Sequence, residues 1–429
     1  MKKICNDFLN EYYYYTVLKN GLHVYLIPRP KFNRCYGLFS TKFGSCDQEF
    51  VPDGSSDFIK VPAGVAHFLE HKTFELERGV DASDIFASFG GETNAYTTYD
   101  KTVYMFTATS NVQEQIETLL DFVQTPYFTD ENINKERGII EQEVRMYLDK
   151  PNTILYLNLL NNMYYMNHVK YDIGGTLDSI KQIDKDTLYT CYNTFYHPSN
   201  MTFVLIGNFD LDKTCDLITK NQEAKAYTSK PKIKRRYYLE QNGVNNKDTT
   251  SYFVVAKPKV GCGLKLSVLD DDPVTSYRNM LILDILIDMF FDESSDFYRR
   301  MMKQGIIDNS FTYDTYYEAT YAHVFFTVDT VDFQAFKEAI KEELLKIKDV
   351  KLDERTFKRY KTVELANSIA RFNSMEYIAN LILDLDALGL ELFDSMEIKN
   401  NISIDDLYNF KTRFVEEAIT FHTILPSKK

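Results

Sequence analysis

The chain has 429 residues, 44 % of them hydrophobic and 26 % charged, enough for two to four domains that each bury a core. Its 49 basic and 62 acidic residues leave a net charge of −13, which argues against a general nucleic-acid binder and against electrostatic docking to anionic lipid. No run of about 18 apolar residues occurs, so no transmembrane helix is expected. Asp7, Asn10 and Glu11 follow the basic start where a secretion signal would need an apolar stretch. Six scattered cysteines (Cys5, Cys35, Cys46, Cys191, Cys215 and Cys262), with no CxxC pair, read as buried thiols of a reducing compartment; a cytoplasmic location is expected.

Runs of aromatic and branched residues at 12–17, 22–27 and 36–42 predict strands, the first two joined by a turn at Lys19-Asn20-Gly21. A polar loop over 45–61 leads to Pro62 and a helix over 64–74; a second helix over 81–89 ends at Gly90-Gly91. Alternation over 93–97 and 102–107 predicts a strand pair. Helices are predicted over 111–123, from a cap at Thr129 to Leu148, over 153–166 and over 185–195, followed by a strand at 202–206. Residues 220–247 are polar and charged, and their basic run Lys230 to Arg236 reads as a solvated connector. Gly261-Cys262-Gly263 reads as a turn. His23, His323 and His422 sit in strand-like runs and read as structural imidazoles, while His168 and His197 lack ligand spacing to another histidine.

The two halves look related. Ile183-Asp184-Lys185-Asp186-Thr187-Leu188-Tyr189 precedes the strand at Thr202, and Ile402-Ser403-Ile404-Asp405-Asp406-Leu407-Tyr408 precedes a like strand at Thr420 at nearly the same spacing. The expected architecture is α+β: two homologous domains, each a mostly antiparallel sheet packed with helices. The boundaries expected are 1–225, a linker at 226–247, and 248–429.

Chemistry concentrates at His67-Phe68-Leu69-Glu70-His71. On a helix, positions i and i+4 share a face, so His67 and His71 can hold one metal ion. Glu70, at i+3 from His67, lies beside the ion as a general base. Two imidazoles and an oxygen ligand suit zinc, with a fourth position open to water. The helix ending at Leu148 offers Glu136, Glu141 and Glu143, with Asp149 just beyond it, for the third place. Glu136 and Glu143 stand two turns apart on one face, where a carboxylate needs a cationic partner.

The HxxEH order, with Glu136-Arg137-Gly138-Ile139-Ile140-Glu141-Gln142-Glu143 and Gly91-Glu92-Thr93-Asn94-Ala95-Tyr96-Thr97 around it, resembles the pitrilysin/insulinase family of zinc metallopeptidases. The resemblance implies one Zn2+ per chain, Glu143 as third ligand, and Glu136 as a supporting acid assigned with Glu70 to the catalytic set. It implies an edge strand (Asn94, Ala95, Tyr96, Thr97) that binds peptide substrate. The interval from His71 to Glu143 is slightly short for the family. The length matches the family's short branch, in which a two-domain chain is half of a clam-shaped dimer.

Active members of the family also carry an Arg and a Tyr that hold the substrate carbonyl and its oxyanion. In the corresponding stretch, 294–308, one alignment puts Met301 and Asp308 at these places. The other keeps Arg299 but puts Ile306 in place of the Tyr. The resemblance therefore implies a zinc-less sister subunit that supplies the pair. A homodimer, with Tyr313 or Tyr316 compensating, is the alternative.

Overall fold

The computed structural model describes residues 1–228, 230, 232–238, 240–268 and 272–427. The chain forms two compact units. The first comprises Met1–Val144, Asp172–Arg236 and Arg371–Ala387; the second comprises Arg145–Tyr171, Tyr237–Ala370 and the residues from Leu388 on.

Unit one is built on a seven-stranded sheet in the order Lys2–Asn6, Glu11–Val17, His23–Pro28, Met201–Gly207, Cys35–Thr41, Thr102–Ala108, Gly91–Thr97. Unit two has a five-stranded sheet in the order Asp248–Phe253, Ile419–Pro426, Lys259–Leu266, Ala322–Asp329, Thr312–Tyr317. In each, the last strand of its half inserts parallel to an earlier one, Met201–Gly207 beside His23–Pro28 and Ile419–Pro426 beside Asp248–Phe253, and the remaining neighbours are antiparallel. The last five strands of the first sheet thus repeat the order of the second, and the α+β repeat read from the sequence is an architectural one. The first hairpin, Lys2–Asn6 with Glu11–Val17, lies outside that repeat, and its strand Lys2–Asn6 was not expected from its charged, mixed sequence.

The expected boundaries are departed from, for a physical reason. Each sheet is covered by a helix encoded in the other half of the chain. Helix Pro151–Met163 lies on the central strand Lys259–Leu266 of unit two. A Cβ at Gly261 would stand 2.5 Å from a Leu159 methyl, and one at Gly263 would stand 3.0 Å from the Met163 sulfur. These glycines are therefore strand residues that let a helix approach closely, not the expected turn. Reciprocally, helix Met375–Leu388 belongs, up to Ala387, to unit one. Its Asp386 accepts hydrogen bonds from Tyr25 (2.9 Å) and Thr202 (2.7 Å), and lies 2.6 Å from His23 Nδ1 and 3.0 Å from the Lys42 ammonium.

The basic run is not the solvated connector its composition suggests. Arg235 pairs with the buried carboxylate of Asp47 at 2.8 Å, and its guanidinium lies over the Phe195 ring. The backbone of 234–236 bonds to Val51 and Glu49. Beyond it, Glu240 accepts three consecutive amides, those of Tyr165, Met166 and Asn167, and pairs with Lys265. The six cysteines are unbridged, but the expectation of burial holds for four; Cys5 is exposed and Cys215 half-buried. Among the described residues no helix is long and apolar enough to cross a membrane.

Candidate metal centre

The centre lies within unit one. Helix Val65–Thr73 turns Val65, Ala66, Phe68 and Leu69 into the core, which leaves His67, Glu70 and His71 on its other side. It starts from Gly64 at φ 93°, where a Cβ would stand 2.6 Å from the Gly174 carbonyl. Gly175 approaches the Ala63 carbonyl equally closely, and Ser179 donates to that carbonyl at 2.8 Å. This backbone-on-backbone contact sets the helix start against the 172–176 loop. Next to His71, Lys72 is fully buried and paired with Glu75 at 2.6 Å.

The structure brings His67, His71 and Glu143 together. One ligand atom from each lies within 4.8 Å of the others. Glu143 Oε2 stands 3.9 Å from His67 Nε2 and 3.5 Å from His71 Nε2. Two ligands held about 2.1 Å from a tetrahedral ion stand about 3.4 Å apart, so the donor set and spacing fit a zinc ion. Glu136, two turns before Glu143 on helix Asp130–Leu148, lies 3.0 Å from His71 Nδ1 and faces the ring's opposite side.

Carboxylates dominate the charge. Glu70, Glu136, Glu143 and Asp172 surround two imidazoles, and among the described residues none of them pairs with a lysine or arginine. Burial pushes the Glu70 carboxyl above its ordinary range and Glu143 adds to this, while Thr97 and His71 pull the other way. Burial, then His71, holds the His67 imidazolium down to about 4. For His71, burial also works downward, but the Glu136 hydrogen bond and the charges of Glu136, Glu70 and Glu143 outweigh it and raise the pKa. A cation among these groups relieves the carboxylate repulsion.

Strand Gly91–Thr97 is the sheet edge beside the helix, pairing among the described residues only with Thr102–Ala108. Its side chains divide. Thr97 donates to Glu70 Oε2 at 2.5 Å, whereas the Tyr96 hydroxyl donates to Asn380 on helix Met375–Leu388. The Ala95 amide is met at 2.9 Å by the side-chain oxygen of Asn94. Sequence reasoning missed the contribution of Asn380, since nothing near position 380 resembles a motif. It also missed Asp172, whose carboxylate accepts the Gly174 amide at 2.8 Å and whose pKa is raised by burial and by Glu143; the Gly174-Gly175 pair was the one available signal.

Residues 50–177 match the family described as Insulinase (Peptidase family M16), and residues 182–364 match the one described as Peptidase M16 inactive domain. Over 429 residues the chain is 37 % identical to a Bacillus subtilis protein named uncharacterized zinc protease YmfH, covering 99 % of each. The chain belongs to peptidase family M16, the insulinase family. A crystal structure described as an M16-like peptidase, from Alicyclobacillus acidocaldarius, matches at TM-score 0.91 and 31 % identity, over 97 % of this chain and 98 % of that one. Pitrilysin shares the M16 fold at TM-score 0.75 and 15 % identity; the match covers all of this chain and 46 % of pitrilysin.

In the second unit of this M16 chain, the stretch 294–308 divides between core and surface. Met301 is buried, Asp308 pairs with Lys257 at 2.6 Å, and Arg299 pairs with Asp296 at 3.0 Å. The Tyr313 hydroxyl donates to Asp288 at 2.7 Å.

Proposed function

We propose that this M16 chain is the zinc-bearing subunit of a cytoplasmic endopeptidase that cleaves unfolded peptides or small proteins. The observation that carries the reading is the convergence of His67, His71 and Glu143 beside a buried Glu70 on the same helix. His67, His71 and Glu143 would hold one zinc ion, with Glu136 orienting His71. Zinc bound there would lower the pKa of water and polarise the scissile carbonyl. Glu70, its carboxyl raised above its ordinary range by burial, takes the proton of the attacking water and returns it to the leaving amine. The outer edge of Gly91–Thr97 receives the substrate as an added strand, through its backbone and Asn94. Ala95 borders that edge, while the side chains of Tyr96 and Thr97 brace the strand from its two faces.

The burial of Met301, the Asp308–Lys257 ion pair and the commitment of the Tyr313 hydroxyl to Asp288 favour a sister subunit as the source of the oxyanion pair. Loss of one such donor typically costs about 10²–10³ in kcat. The same observation supports a second reading, a non-catalytic scaffold or maturation-associated subunit.

A quenched-fluorescent peptide pool incubated with the chain, with and without its sister, tests both readings. Cleavage that needs the sister and disappears in Glu70→Gln, with one zinc per chain retained, is the expected result. Zinc binding without cleavage in either mixture would favour the scaffold.

A further inference from the structure

We propose that Thr97 is a positioning residue for Glu70: its hydroxyl pins one carboxylate oxygen and leaves the other to face the reacting water. The inference rests on the peptidase reading for its kinetic consequence, but its structural content stands apart from activity.

The hydrogen-bond directions follow from proton counting. A hydroxyl has one proton to donate. The Thr102 hydroxyl gives its proton to the Phe43 carbonyl at 2.9 Å. That carbonyl can only accept, so at the 3.3 Å contact between the two threonine hydroxyls Thr102 is the acceptor or a bystander. The proton of Thr97 is committed to Glu70 Oε2, 2.5 Å away.

Thr97 is itself held. It pairs with Thr102 at the end of the edge strand, and the Thr98 amide closes the following turn onto the Lys101 carbonyl at 2.8 Å. Behind it, Tyr96 is tied to Asn380, and Lys101 is paired with Asp384 at 2.8 Å. A β-branched side chain on so fixed a backbone has few rotamers open to it. Glu70, by contrast, has three rotatable bonds, and the hydroxyl supplies a fixed point at the far end of its side chain. The side chain that resemblance assigned to substrate binding is thus turned inward. The strand that would pair with substrate through its outer edge steadies the base through its inner face.

The test compares Thr97→Val, which keeps the shape and removes the hydroxyl, with Thr97→Ser, which restores it, in the chain combined with its sister subunit. Thr97→Val should keep one zinc per chain and the wild-type KM while kcat falls about 10–100-fold, as expected of a displaced catalytic group. Thr97→Ser should recover most of that loss. A crystal structure of Thr97→Val should show the Glu70 carboxylate turned away from its wild-type orientation. An unmoved carboxylate, an unchanged kcat, or a rise in KM at constant kcat would overturn the proposal, the last returning Thr97 to substrate binding. Loss of zinc in both variants would make its role structural and would also overturn it. If the wild-type assembly cleaves nothing, the peptidase reading fails by itself, and the Glu70 orientation in the two crystal structures still decides the role of Thr97.

Discussion

Nδ1 of His71 stands 3.0 Å from Glu136 Oε1, and the ring's other nitrogen faces Glu143 at 3.5 Å. A hydrogen bond at one imidazole nitrogen fixes which nitrogen is left for a metal and makes it more basic. Glu136→Gln should therefore weaken zinc binding by about 10–100-fold without unfolding the chain. Competition against a chromophoric chelator measures this directly. Unchanged affinity would remove Glu136 from the centre.

Zinc that binds only the folded chain stabilises it by mass action, by about 2.7 kcal/mol at a free concentration 100 times Kd. Chelation should lower the thermal midpoint of the wild type, and zinc should restore it. In His67→Ala and Glu143→Ala the midpoint should no longer respond to zinc. A zinc-dependent shift that persists in both variants would place the ion elsewhere.

Asp386 predicts a pH dependence of stability. Burial alone would raise its pKa, but the His23 hydrogen bond and the charges of Lys42 and His23 outweigh that and hold the carboxyl well below the usual range. A depressed folded-state pKa gives stability that is complete above the unfolded value of about 3.9 and is lost as pH falls toward the folded value. At pH 7 Asp386→Asn should cost about 2–4 kcal/mol. Urea denaturation curves of variant and wild type should converge as pH drops below about 4. A gap that stays constant down to pH 3 would mean that the ionised carboxylate contributes nothing.

Gly261→Ala puts a methyl 2.5 Å from a Leu159 methyl and close to Leu155 as well. Overpacking of this kind costs about 1–3 kcal/mol. Leu159→Ala introduced with it should cost less than the sum of the two single substitutions, because the second change makes the space the first one needs. Chemical denaturation of the four proteins closes the cycle; strict additivity would mean the helix and strand do not meet there.

The helix carrying His67 and His71, the Glu136–Glu143 face and the strand pair at 91–108 were legible because each obeys a local rule: i, i+4 spacing, a two-turn repeat, alternation. The repeat between halves was legible for the same reason, each copy ending in a capped helix and an apolar strand. The partners of those elements were not. Gly261 and Gly263 have the composition of a turn, and only the arrival of helix Pro151–Met163 makes them strand residues. Arg235 belongs to a run that looks solvated until Asp47 and Phe195 meet it from 188 and 40 residues away. Asn380 and Asp386 lie in a helix whose sequence announces only an apolar face. In each case the deciding contact is remote in sequence, and no local pattern records it.

The reciprocal loan of helices bears on how the chain is made. Residues 1–225 leave the ribosome without the helix that carries Asp386, so His23, Tyr25, Lys42 and Thr202 wait for their shared acceptor until more than a hundred and fifty further residues have been synthesised. Helix Pro151–Met163 in turn emerges long before the strand it will cover. Neither half of the coding sequence therefore specifies a free-standing body. Contacts of such long separation slow folding and leave apolar faces open during translation. A gene split within 226–247 should yield two fragments that are insoluble apart and recover a folded protein only when produced together.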